Sequence, residues 1–154
     1  TSSACRSISS SDTPMRHMLF RFLTAFALLS PLASQAELVI VASPRSGSIE
    51  LSREQAEKLY LGRTTTLADG TPVKLVDLPS GTTRDEFYLK LTNKNPSQIL
   101  AYRSRLVFTG RAYPPLEAES VTEARQWLAD TPNLIGYLER GDVTGNLRIL
   151  LRLP

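Results

Sequence analysis

The chain has 154 residues, with 18 Lys and Arg against 15 Asp and Glu, one His, one Cys and two Met. Cys5, Met15, His17 and Met18 all precede Glu37, so the rest of the chain holds no Cys–His pair, no Ser–His–Asp triad and no ordinary zinc or soft-metal site. The basic excess also sits early, where Arg6, Arg16 and Arg21 face only Asp12; the remainder is close to neutral and points to no nucleic-acid or anionic-membrane partner.

In chain order, Met15-Arg16-His17-Met18 is a short basic start and Leu19 to Leu32 an apolar stretch broken mainly by Arg21 and Thr24. Ser34-Gln35-Ala36 then sets small residues on either side of Gln35. This is the order of a secretory signal peptide, and the apolar block is too short and too broken for a good membrane span. Cleavage is expected after Ala36, giving a periplasmic protein with no membrane span after processing. The Ser-rich residues Thr1 to Pro14 read as an over-extended gene start ahead of Met15 or Met18. Cys5 lies upstream of the apolar block and so is no lipoprotein cysteine. Residues 37–154 suffice for one domain with a real core, held without disulfides.

Glu37 to Ala42 is a β-branched run expected to form a buried first strand, closed by a loop at Ser43 to Ser48. Ser52 then opens a helix, with Gln55 completing a capping box, Ala56, Leu59 and Tyr60 on one side, and Gly62 ending it. Asp69-Gly70-Thr71-Pro72 is a turn into a second strand over 73–78. A helix is expected from about 83 to 92. After the turn Asn93-Lys94-Asn95-Pro96, Ser97 is expected to cap a third helix, with Ile99, Leu100, Tyr102, Leu106 and Val107 at helical spacing. Phe108 to Pro115 reads as irregular, because two prolines forbid a continuing helix. A helix follows from about Glu119 to Ala129, then strands at Leu134 to Leu138 and Leu147 to Leu151. This order predicts an α/β domain with helices flanking a small mixed sheet.

Between the second strand and its helix lies Pro79-Ser80-Gly81-Thr82-Thr83. A small, glycine-containing turn at a helix start points backbone N–H groups and hydroxyls at one spot, where the helix dipole favours negative charge. Ser80, Thr82 and Thr83 are the candidate hydroxyls, Gly81 the turn, and Arg84 the balancing cation. Ser and Thr are also the preferred N-caps of any helix, and plain capping is the first reading of this stretch taken alone. Thr109-Gly110-Arg111 is a second candidate donor loop, with a surface turn as its plain alternative. Gly136 reads as a position of close backbone packing, and Asn133 as a residue that tolerates the left-handed conformation. The tyrosines and Trp127 read as packing. Asp85 and Glu86 suit the first turn of a helix better than an acid–base pair with Asp77.

Three stretches, in order, carry a resemblance. They are Leu51 to Arg63 with its Leu59-Tyr60-Leu61-Gly62-Arg63 box, Ser80-Gly81-Thr82 ahead of Phe87, and Phe108-Thr109-Gly110-Arg111 followed by Thr131-Pro132-Asn133-Leu134-Ile135-Gly136-Tyr137. Together they resemble the phosphate-binding proteins of ABC transporters, and they match the second lobe of that two-lobed family. The resemblance implies a single periplasmic-binding-protein-like lobe that takes phosphate or another small oxyanion at Ser80, Gly81, Thr82, Thr83, Arg84, Thr109, Gly110 and Arg111. An ABC permease or envelope sensor is the implied partner, and no enzyme activity, cofactor or metal is implied. The family has an arginine where this chain has Val76, followed here by Asp77, so Arg84 is expected to compensate an acid close to the cradle. The alternative is an interaction or scaffold module that keeps the fold without the ligand.

Overall fold

Strand β1 (Leu38–Ala42) is buried along its whole length, as its Leu-Val-Ile-Val-Ala sequence requires. The computed structural model describes residues 36–110 and 113–154; the expected leader up to Gln35, and Arg111, lie outside the described residues. β1 pairs antiparallel with β4 (Leu134–Glu139) on one side and β5 (Arg148–Leu153) on the other, with a bulge between Ile40 and Val41 against β5. β2 (Lys74–Asp77) runs parallel to β4 and to β3 (Leu116–Glu117). The mixed sheet of the described residues has the order β3-β2-β4-β1-β5.

Local chemistry sets most helix ends. In α1 (Arg53–Tyr60) the Ser52 hydroxyl accepts from the Gln55 amide at 3.2 Å, Ala56, Leu59 and Tyr60 are buried, and Gly62 follows at φ 71°. α2 (Thr82–Thr92) ends at Asn93, which takes the left-handed conformation at φ 56°. α3 (Pro96–Phe108) is capped by Asn95 rather than the expected Ser97. The Asn95 side chain accepts from the Gln98 amide at 2.9 Å and Gln98 reaches back to the Asn95 amide at 3.0 Å, while Pro96 takes the first helical position, where no N–H is needed. α4 (Val121–Asp130) is capped by Ser120, which accepts from Glu123 at 3.1 Å.

α4 packs on β4, β1 and β2, whereas α1 packs on α2 and α2 on α3. The helix α3 lies at the edge of the domain, with Ile99 as its buried residue. Of the residues at helical spacing, Ile99 is buried, Tyr102 and Leu106 are half-buried, and Leu100 and Val107 are exposed. Helical spacing shows that apolar residues share a face, but not that another element covers it. Tyr113 likewise is 90 % exposed rather than packed. Tyr60, Tyr88 and Tyr137 are buried, and Trp127 packs half-buried against the core. Strand β3 lies in the stretch just past the two prolines; it is held by two residues of parallel pairing, Val76 with Leu116 and Asp77 with Glu117, and by the Ala118 amide on the Asp77 carbonyl at 3.0 Å.

Candidate functional site

The carboxyl end of β2 delivers Asp77 into the core, and Leu78-Pro79-Ser80-Gly81 then turns into α2. Asp77 is 2 % exposed, a position that an ionised acid holds only with partners. Its Oδ2 accepts from Arg103 Nη1 at 2.8 Å and from the Tyr88 hydroxyl at 2.9 Å, with Arg84 Nη2 at 3.3 Å. Its Oδ1 accepts from the Tyr137 hydroxyl at 2.6 Å. The donors come from α2, α3 and β4, so an otherwise apolar interior holds one carboxylate between two guanidinium groups and two phenols.

A further layer fixes those donors. Arg103 Nη2 donates to the Tyr60 carbonyl at 3.2 Å and to the Tyr88 hydroxyl, and its guanidinium lies over the Tyr88 ring, 4.7 Å from the centroid. Arg84 Nη1 donates to the Leu78 carbonyl at 3.2 Å and to Glu117 Oε1 at 2.9 Å. The Tyr137 hydroxyl also accepts from the Leu78 amide at 3.3 Å. The rings themselves are locked: Phe87 and Tyr137 stack with centroids 3.6 Å apart and planes 2° from parallel, and Tyr60 meets Phe87 edge-on at 4.7 Å.

Burial, and after it the charge of Asp77, raises the ionisation of Tyr60, Tyr88 and Tyr137 well above the ordinary phenol range, so all three stay neutral hydroxyls. Burial works against the charge of Arg84, but Asp77 and Glu117 outweigh it, and its pKa is raised. Tyr60 contributes its ring and its carbonyl; its own hydroxyl is buried without a hydrogen-bond partner.

At the turn itself, Ser80, Gly81 and Thr82 are exposed, and Thr83 and Arg84 are partly buried. Gly81 is the N-cap of α2 in an extended conformation, and no side chain caps the helix, which corrects the plain capping reading. Among the described residues no Ser or Thr hydroxyl claims the first amides of α2. Thr83 Oγ1 instead donates to Glu139 Oε1 at 2.9 Å. Arg84 is held by Asp77, Glu117 and a carbonyl, so it points its charge inward rather than across the turn. Thr109 and Gly110 close the C-terminus of α3. Their amides donate to the Arg105 and Val107 carbonyls at 3.1 and 3.0 Å, and the Thr109 hydroxyl returns to Arg105 and Leu106. That is the negative end of a helix, with its donors already used. Among the described residues no hydrogen bond or ion pair joins Thr109 or Gly110 to the 80–84 turn.

Arg103, Tyr88 and Tyr137 were absent from the sequence-derived site. A signal did exist: Arg103 falls one helical turn after Ile99, on the one face of α3 that reaches the core, and an acid ending a buried strand requires a cation from elsewhere in the fold.

No family model matches the chain and no curated protein matches it. Solved structures do. An ABC-type phosphate transport receptor from Vibrio cholerae superposes with a TM-score of 0.56 at 16% identity, over 75% of this chain and 46% of that one. A putative phosphate ABC transporter substrate-binding protein from Clostridium perfringens, with bound phosphate, gives 0.57 at 15% identity over 75% and 45%. PstS from Borrelia burgdorferi gives 0.52 at 17% over 75% and 47%. The fold is that of phosphate-type solute-binding proteins. This chain spans less than half the length of each of these relatives in structure. The expected mixed sheet flanked by helices is present, with β3 as a fifth strand beyond the four expected, and it matches a lobe-like portion of that fold. Among the described residues no helix is long and apolar enough to cross a membrane.

Proposed function

We propose that this chain is an exported, non-enzymatic lobe of solute-binding type that acts as an interaction module in the cell envelope, serving a permease or sensor rather than carrying solute. The observation behind this reading is the placement of Asp77. Its carboxylate takes the positive charge of both Arg84 and Arg103, and Glu117 takes the rest of Arg84. Among the described residues, the open turn at Ser80 to Thr83, beside Glu117 and Glu139, is thereby left with hydroxyls and amides while Arg84 is engaged elsewhere. A dianion there meets acids before it meets a cation. Exposed apolar side chains on α3 and beyond it, Leu100, Val107, Phe108, Tyr113 and Leu116, are the kind of surface through which envelope proteins associate.

A second reading is favoured by the uncapped start of α2 and by the phosphate bound in a fold relative. In it, phosphate or another small oxyanion binds weakly at Ser80, Gly81, Thr82, Thr83 and Arg84, with Thr109, Gly110 and Arg111 as the outer contacts. Calorimetric titration with phosphate, sulfate and a small dicarboxylate separates the two. The module reading expects no saturable heat. Saturable phosphate binding that is weakened by Thr82→Val would overturn it in favour of the oxyanion site.

A further inference from the structure

The four groups around Asp77 form a receptor, and we infer that its ligand is a singly charged carboxylate: the Asp77 side chain is a tethered occupant of a small-carboxylate site. The inference rests on the reading above, in which Asp77 neutralises the interior cations. It goes further by assigning a ligand class to the cavity that the side chain fills.

Three observations carry it. The donors are supplied entirely by other elements: Arg84 and Tyr88 by α2, Arg103 by α3, and Tyr137 by β4. Each donor has a second anchor that does not involve Asp77. These are the Leu78 carbonyl and Glu117 for Arg84, the Tyr60 carbonyl for Arg103, the Arg103 guanidinium for Tyr88, and the Leu78 amide together with the Phe87 stack for Tyr137. The donors are therefore held in part by groups other than the carboxylate, the support that a preorganised ligand pocket needs. Finally, the charges balance around one negative group. Arg84 and Arg103 are matched by Asp77 and Glu117, so a monoanion restores neutrality and a dianion exceeds it.

The geometry selects among anions as well. Both carboxylate oxygens are engaged, one by the Tyr137 hydroxyl and the other by Arg103, Tyr88 and Arg84. Truncation to alanine keeps Cβ and removes only the carboxylate, leaving a space that fits formate. Acetate is one methyl group too large for it, and tetrahedral phosphate is both larger and more highly charged.

The test is thermal melting of wild type and Asp77→Ala in sodium formate, sodium acetate, sodium phosphate and sodium chloride at equal ionic strength. Asp77→Ala in chloride should melt more than about 10 °C below wild type, because it leaves two interior cations without their partner. Formate should return several degrees of that loss, more than acetate or phosphate, and should leave wild type unchanged. Adding Arg103→Met to Asp77→Ala should remove the formate response. An Asp77→Ala protein that melts alike in formate and chloride overturns the inference, as does a formate shift of equal size in wild type. If Asp77→Ala does not fold in chloride, it is refolded from urea in formate. Recovery of native circular dichroism in formate alone supports the site, and no recovery overturns it. Titration of wild type with phosphate is a separate arm: binding there overturns the module reading, while the Asp77→Ala arm still decides whether the cavity accepts a carboxylate.

Discussion

Arg103 reaches across from α3 to place its Nη1 2.8 Å from Asp77 Oδ2, and so joins an outer helix to the last residue of β2. Ile99 is the buried apolar residue of that helix, so the ion pair is a principal attachment of α3 to the domain. Arg103→Met should destabilise by about 3 kcal/mol in urea unfolding, since a buried acid loses its nearest cation. Asp77→Leu combined with Arg103→Met should cost less than the two single changes added together. A loss in Arg103→Met below about 0.5 kcal/mol, as at a surface pair, would show that the pair does not anchor the helix.

Gly136 lies where β4 meets α4. A Cβ added there would stand 2.8 Å from Leu128 Cδ1 and 3.0 Å from Cδ2, and Leu128 is fully buried, so its side chain must shift within the core. Gly136→Ala should therefore cost about 1–3 kcal/mol through overpacking. Leu128→Ala should be less harmful in that background than in wild type. Equal costs in both backgrounds would remove the steric explanation.

Gly81 caps α2 without a side chain, in an extended conformation open to any residue, and an added Cβ would meet only the Pro79 carbonyl, at 4.0 Å. Gly81→Ser should stabilise the domain by a few tenths of a kcal/mol by giving an unclaimed amide an acceptor. Lower stability in that variant would mean that the turn needs glycine for another reason.

The outward placement of α3 separates two apolar residues of one helix. Ile99→Ala should cost about 2–4 kcal/mol. Phe108, which is 97 % exposed, should tolerate Phe108→Ser within about 0.5 kcal/mol. Chemical denaturation of the two variants checks this, and a large loss in Phe108→Ser would place that ring in the core.

Alkaline stability follows from the three buried phenols. Their ionisation in the folded protein is raised by burial first and then by Asp77, so the native state holds these protons after an unfolded chain has released them. The stabilisation is complete below the unfolded phenol pKa of about 10 and is lost progressively as pH rises above it. Phenolate absorbance should rise for these residues together with loss of circular dichroism. Full phenolate titration in a still-folded protein would contradict the buried network.

Near-neighbour chemistry accounts for what could be read without the fold. The β-branched run of β1, the Ser52 cap and Gly62 stop of α1, the left-handed Asn133 and the close packing at Gly136 each depend on a residue and its immediate neighbours, and each is found in the structure. The cap of α3 shows the limit of that approach: Asn95 and Ser97 are both competent, and the position of Pro96 at the first helical residue selects Asn95.

The chain by itself thus determined the α/β order of its elements and the Ser80-Gly81-Thr82 turn at the head of a helix, because periodicity and turn propensity act over a few residues. Only the tertiary structure decided that Arg84 faces inward to Asp77 and Glu117, that Arg103 completes the buried pair, and that one face of α3 stays uncovered. Those outcomes depend on residues distant in the chain, Asp77 and Arg103 above all. A buried charge takes whichever partner the packing brings within reach, and nothing in the local sequence names that partner.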